Sequence, residues 1–201
     1  MSTLVSASTN LTLAILTGFV GTFGVPALAG YGAGARLEFI LTSLSYAIGG
    51  PAGILIGTNV GAGNTARALR ASWVGILIAA FVAETIGLAA ARWPTLWLGL
   101  YTSDPTVLDS GSAYLRTVGP CFGFYGLGYA LYCAGQGTGR MEWPVTGALV
   151  RAGIAIAGGA LVLRFDQGLN CIFLAAACAM VVFGCLSLPG LVLQIGYSPR
   201  A

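Results

Sequence analysis

Long apolar stretches, separated by short turns rich in glycine, proline and polar residues, run through the whole chain. Most of them hold about twenty residues or more, the length that a helix needs to cross a bilayer. The pattern predicts six such helices, over about residues 5–24, 27–59, 71–91, 112–135, 141–163 and 169–197. The predicted fold class is an all-α polytopic membrane protein, with six transmembrane helices in one bundle over residues 1–201.

The second predicted helix carries polar residues inside an apolar segment. Glu38 lies about 16 Å from the start of this helix, near mid-membrane if the helix begins at the membrane surface. Spacings of three or four residues place Tyr31, Thr42 and Ser45 on the face of Glu38. Arg36 is two residues from Glu38 and points elsewhere. Because a charge in hydrocarbon is costly, these side chains are expected to border a solvated cavity.

The sequence Gly49-Gly50-Pro51 predicts an interruption of the same helix. An interrupted membrane helix is tolerated only where neighbouring groups or water satisfy the freed backbone groups. Together with the charges before it, the interruption favours a transport path over a plain membrane anchor.

Polar positions also recur on the first predicted helix. Ser6, Asn10 and Thr17 fall near one face of it. Such side chains either hydrogen-bond to neighbouring helices or line a cavity, and the sequence leaves both interpretations open.

The fourth predicted helix has an aromatic face and the fifth has an internal charge. Tyr125, Tyr129, Tyr132 and Gln136 share a helical face. Aromatic faces attract organic cations, although packing between helices would also explain this pattern. Arg151 lies about 15 Å into the fifth helix. It therefore reaches a depth similar to that of Glu38, and a contact between the two side chains is possible.

The composition excludes several classes of function. The chain is 57% hydrophobic and 7% charged, too few charges to cover a water-facing surface. All 9 basic residues are arginine, so a P-loop lysine, a Ser-His-Asp triad and a histidine metal site are excluded. A net charge of +3 is too small and scattered to indicate nucleic-acid binding. We expect neither enzymatic activity nor a bound cofactor or metal, and interpret the 5 cysteines as buried small hydrophobes.

Three motifs occur in order along the chain. The first comprises residues 29–32, Arg36-Leu37-Glu38 and the glycine-rich exit at residues 57–63. The second covers residues 100–107, and the third is the loop at residues 135–140. In these motifs and their spacing, most of the chain resembles the multidrug and toxic compound extrusion (MATE) transporters. That family has twelve helices in two six-helix lobes, and the Arg-x-Glu pattern is similar to the second, C-terminal lobe.

The resemblance implies a function and a set of site residues. It implies export of drugs or organic cations against an inward flow of Na⁺ or H⁺. Glu38 and Asn10 would take part in proton or cation coupling, although some members carry an acid where this chain reads Ser8-Thr9-Asn10. The residues expected to line the substrate cavity are Tyr31, Arg36, Thr42, Ser45, Tyr125, Tyr129, Tyr132, Gln136 and Arg151.

The expected partners are the lipid bilayer, a small cationic substrate, and either a complementary six-helix lobe or a second copy of the chain. Arginine counts on the two sides tie, so the positive-inside rule does not orient the protein. The resemblance implies a plasma (inner) membrane protein with both termini cytoplasmic. Two alternatives remain: a flippase for lipid-linked sugars, and a non-functional remnant or structural membrane subunit.

Overall fold

The structure, a computed structural model, describes residues 2–196, so Tyr197 at the predicted end of the last helix lies outside the described residues. The helices are α1 Ser2–Gly21, α2 Val25–Gly61, α3 Thr65–Arg92, α4 Pro94–Leu98, α5 Pro105–Val118, α6 Phe122–Thr138, α7 Glu142–Arg164 and α8 Leu169–Gly196. A 3₁₀ turn, Gly119–Cys121, joins α5 to α6. Within residues 2–196 all regular structure is helical, in agreement with the predicted all-α class.

Within the described part of the chain, four helices are long and apolar enough to cross a membrane: α2, α3, α7 and α8 as far as Gly190. The shorter α1 contributes an apolar stretch over Val5–Gly21. The outer surfaces of these helices expose large apolar side chains; Phe81 of α3, for example, is 73% exposed. Because such surfaces suit lipid and not water, the chain is a multi-pass membrane protein.

The prediction of six helices was wrong for the middle of the chain, where residues 112–135 were expected to form one helix. This part begins at Pro105, bends at the 3₁₀ turn and ends at Thr138. Pro120 explains the bend because proline lacks an N–H and its ring clashes with the preceding helical turn. Asp104 caps α5, and hydrogen bonds from the Thr106 hydroxyl and N–H hold its pKa below the usual value.

Two other boundaries differ from the prediction. The interruption expected at Gly49-Gly50-Pro51 is absent, because α2 continues through Pro51 to Gly61. Neighbouring groups in a packed bundle satisfy the backbone that a membrane proline frees. The third helix, predicted to begin at about residue 71, already begins at Thr65.

Helix α6 occupies the centre of the bundle and packs against α2, α3 and α8. Gly53 of α2 lies so close to α6 that an added Cβ would be 2.6 Å from the Cys133 carbonyl oxygen. Gly30 makes an equally close approach to Gly111 of α5. The α5–α6 pair therefore runs parallel to α2. Helix α5 packs on the first part of α2, and helix α6 packs on the later part.

Glu84 of α3 closes the junction between α5 and α6. The first N–H groups of a helix have no partner within it, and Glu84 Oε2 accepts from the Gly123 N–H at 2.7 Å. We expect Glu84→Ala to destabilise the fold by about 1 kcal/mol, the usual cost of removing a helix cap. Glu84→Gln keeps an acceptor oxygen and should cost less. Thermal unfolding in detergent, with hydrogen exchange at the Gly123 amide, tests this; equal loss in both variants would contradict it.

Candidate functional site

Glu38 and Arg151 form a buried ion pair between α2 and α7. The Arg151 Nη2 atom donates to Glu38 Oε1 at 2.6 Å. Glu38 is 7% exposed and Arg151 is 8% exposed, so both charges are shielded by protein. The pair therefore joins the two charges that the sequence placed at similar depth. Each side chain neutralises the other, and burying either charge without its partner would be strongly unfavourable.

Two tyrosines complete the surroundings of this pair. The Tyr114 hydroxyl donates to Glu38 Oε2 at 3.4 Å, a long hydrogen bond. The Arg151 guanidinium lies 4.8 Å from the centre of the Tyr125 ring. Arg151 is thus held by a carboxylate on one side and by an aromatic face on another, which is a favourable environment for a desolvated guanidinium.

A cavity of about 160 Å³ opens beside Glu38, between α1, α2 and α6. Its polar lining includes Glu38 and Thr42 from α2 and Tyr125 and Tyr129 from α6. Asn10 lines it from α1 but is exposed and donates to the backbone oxygen of its own helix at Ser6.

Hydroxyl groups connect the helices around this cavity. The Thr42 hydroxyl lies 2.8 Å from the Tyr125 hydroxyl, and it also donates to the Glu38 carbonyl oxygen. On the far side, the Thr9 and Tyr129 hydroxyls are 3.4 Å apart. Polar groups from three helices thus surround a small space with the carboxylate at its wall.

A second, larger cavity of about 580 Å³ adjoins the first, and residues such as Phe39 line both. Tyr31 and Arg36 line this larger cavity. Tyr31 and Glu38 therefore belong to neighbouring spaces, although Tyr31 also borders a narrow gap of about 10 Å³ next to Glu38.

Four predicted site residues, the ion-paired Arg151 among them, line neither of these two cavities. Ser45 is buried on the side of α2, and Tyr132 is buried against Tyr46 with ring centres 5.9 Å apart. Gln136 is exposed, and its Nε2 donates to the Tyr132 hydroxyl at 3.0 Å. Tyr132 lies about 10 Å along α6 from Tyr125, so a shared helical face alone does not bring both rings to one cavity.

Sequence reasoning also missed residues of this site. Tyr46 lines the small cavity and follows Thr42 at the same helical spacing that connects Thr42 to Glu38. Tyr114 approaches Glu38 because Gly34 of α2 leaves room for its ring. The spacing of Tyr46 was available in the sequence, whereas the position of Tyr114 depends on how α5 packs on α2.

Comparisons with known proteins agree with this architecture. The family model MatE matches residues 2–161. A search of curated proteins found no match. The solved structure of the MATE transporter ClbM in complex with Rb⁺ has a TM-score of 0.85 and 20% identity, covering 98% of this chain and 45% of that one.

Two further solved structures have the same fold. The Vibrio cholerae MATE transporter VcmN in its bent form gives a TM-score of 0.84 at 20% identity, covering 98% of this chain and 45% of VcmN. A MOP superfamily transporter from Pyrococcus furiosus gives 0.83 at 14% identity, covering 98% of this chain and 46% of that one. The chain thus spans about half the length of the solved transporters that it matches.

Proposed function

The chain belongs to the MatE family, and on this premise we propose that it forms one lobe of a secondary active transporter. The α5–α6 pair, taken as one crossing, brings the number of membrane crossings to six, the size of a lobe. A match to 45% of ClbM and VcmN supports this interpretation. The Arg-x-Glu motif favours the C-terminal lobe. A complementary lobe or a second copy would complete the cavity.

The ion pair between Glu38 and Arg151 carries the proposal, because it can exist in two states. A proton or Na⁺ that binds Glu38 would displace the guanidinium, and release of that cation would restore the pair. Since a buried charge without a partner is strongly unfavourable, Arg151 must then find other contacts, such as the ring of Tyr125. Rearrangement of α7 against α2 would thereby depend on the coupling ion.

The small cavity favours a cationic group of the substrate. Tyr46 and Tyr129 offer aromatic faces there, with ring centres 5.5 Å apart. The same cavity borders Glu38, whose charge Arg151 balances when no coupling ion is bound. The expected substrates are small drugs or organic cations.

Transport by reconstituted vesicles tests this function. Proteoliposomes would hold the chain alone or a tandem fusion of two copies, loaded with ethidium under an imposed H⁺ or Na⁺ gradient. We expect gradient-driven efflux, and its loss in Glu38→Gln, because the amide cannot take up the coupling ion in place of the arginine. Asp109→Asn, which changes an exposed acid on α5, is the matched control. Full coupled efflux in Glu38→Gln would reject the coupling role.

A flippase for lipid-linked sugars usually has a cationic cavity, to which Arg36 and Arg151 could contribute positive charge. Glu38 neutralises Arg151, so of the two arginines considered only Arg36 adds charge that no carboxylate compensates. This weakens the flippase alternative. Absence of gradient-driven transport in every form would favour a structural subunit instead. We further propose a plasma membrane location with both termini cytoplasmic, which reporter fusions at each terminus would test.

A further inference from the structure

Arg36 of α2 is an exposed cation, and among residues 2–196 no acid pairs with it. It lies in α2 about 16 Å from the helix start, yet within residues 2–196 no carboxylate comes within 4.0 Å of it. The guanidinium carbon of Arg36 lies 4.8 Å from the centre of the Tyr101 ring. Unpaired arginines at such positions usually face a water-filled space or a ligand.

The larger cavity provides that space. It measures about 580 Å³, within the range of small-molecule binding sites. Its lining contains Arg36 and four hydroxyl-bearing residues, Thr17, Tyr31, Tyr101 and Thr102, and the described lining residues include no acid. The small cavity, by contrast, contains a carboxylate that is neutralised by Arg151. The two adjoining spaces therefore differ in charge.

The Tyr101 ring gives the exposed Arg36 guanidinium a defined contact beside the cavity. The Trp97 Nε1–H donates to the Ala33 carbonyl oxygen at 2.9 Å, which fixes α4 against α2. Tyr101 packs edge-on against Trp97 with ring centres 5.4 Å apart, and Arg36 stacks on Tyr101. A stacked guanidinium keeps its N–H donors at its edge, where they can bind both oxygens of a phosphate or carboxylate.

We propose that the larger cavity binds an amphiphilic anion whose phosphate or carboxylate is held by Arg36. The other walls are largely apolar, with Leu13, Leu28, Phe39 and Val107, and suit an aliphatic body next to the charged group. The ligand comes from the bilayer, as an anionic phospholipid, or from solution, as an organic phosphate or carboxylate. This binding site adjoins the Glu38 pocket but holds its ligand through Arg36, and binding there does not depend on transport activity.

Calorimetric titration of the purified full chain in nonionic detergent tests the charge preference. The probes are octyl phosphate and octyltrimethylammonium, which share a chain length and differ in the sign of the head group. We expect octyl phosphate to bind more tightly, and Arg36→Gln to weaken it about tenfold, the equivalent of one charge-assisted hydrogen bond. Arg36→Lys keeps the charge but not the planar fork, so it should weaken binding less.

Arg92 offers a matched control, because it is exposed, stacks on Trp93 at 5.7 Å and does not line the cavity. Arg92→Gln should change octyl phosphate affinity less than twofold. The proposal is overturned if Arg36→Gln and Arg92→Gln bind octyl phosphate alike, or if the quaternary ammonium binds wild type equally well. If Arg36→Gln does not fold, reduced affinity in a folded Arg36→Lys supports the proposal and unchanged affinity opposes it.

Native mass spectrometry distinguishes the two sources of the anion. The chain would be reconstituted in nanodiscs of phosphatidylglycerol or phosphatidylcholine and then released from them. Retention of phosphatidylglycerol by wild type and Arg92→Gln, but not by Arg36→Gln, would identify a lipid ligand. Arg36-dependent binding of octyl phosphate without lipid retention would identify a solute. The proposed site is overturned if Arg36→Gln changes neither the retention of lipid nor the binding of octyl phosphate.

Discussion

Glu38→Gln is expected to destabilise the folded chain by about 3 kcal/mol, because it leaves Arg151 buried and without a counter-charge. The amide can still accept one hydrogen bond, which places the loss near the lower end of the range for broken buried ion pairs. Arg151→Gln should cost less, because a carboxyl group can become neutral by taking up a proton, whereas an arginine cannot be deprotonated in a protein.

Replacing both partners separates stability from function. In the double variant Glu38→Leu with Arg151→Met no charge is left unpaired, so we expect most of the lost stability to return. Coupled transport should remain absent, since no group is left to bind the coupling ion. Thermal or denaturant unfolding in detergent, followed by tryptophan fluorescence, measures the first property and vesicle efflux measures the second.

The control for this series is Asp109→Asn, an exposed acid on α5 that should change stability by less than about 0.5 kcal/mol. Two results would contradict the argument. One is a Glu38→Gln variant as stable as the control. The other is a double variant that is less stable than Glu38→Gln, because the ion pair would then not be the reason for the loss.

Gly53→Ala is expected to destabilise the contact between α2 and α6 by about 1–3 kcal/mol, the usual cost of overpacking. The added Cβ would lie 2.6 Å from the Cys133 carbonyl oxygen, and backbone cannot move away as the end of a side chain can. Close approach of two helices through small residues is a main source of attraction inside a membrane. The loss should therefore appear as a lower unfolding midpoint in detergent.

Gly32→Ala provides a control in the same helix. Apart from its own chain neighbours, nothing lies within 4 Å of its added Cβ, so alanine should leave stability unchanged or raise it by up to about 1 kcal/mol through its better helix propensity. Gly53→Ala is thus predicted to lower the free energy of unfolding, whereas the control should leave it unchanged or raise it. A neutral Gly53→Ala would show that α2 and α6 can separate at this point without cost.

The architecture was predictable where a single physical requirement dominates. The lengths of the apolar stretches predicted the all-α membrane class. The helix predicted at residues 141–163 agrees closely with the observed helix Glu142–Arg164. The bend at residues 119–121 was missed because an apolar run looks the same whether it forms one helix or two. Pro51 misled in the opposite direction, since a packed bundle keeps α2 continuous through it.

The candidate site was predictable only in part. Helical spacing identified Glu38, Thr42, Tyr125 and Tyr129, which all line the small cavity. It also grouped Tyr132 and Gln136 with them, although these side chains lie farther along α6 and contact each other. Periodicity gives the direction of a side chain around its helix, but not which neighbour it meets or at what depth.

The sequence by itself determined that this chain lies in a membrane and that its few internal charges require shielding, since both follow from the cost of exposing polar groups to hydrocarbon. Only the tertiary structure decided how each charge is shielded. It pairs Glu38 with Arg151, 113 residues away along the chain, and leaves Arg36 stacked on Tyr101 beside an open cavity. The physical reason is that an ion pair is formed by helix packing, which depends on contacts between residues that are distant in sequence.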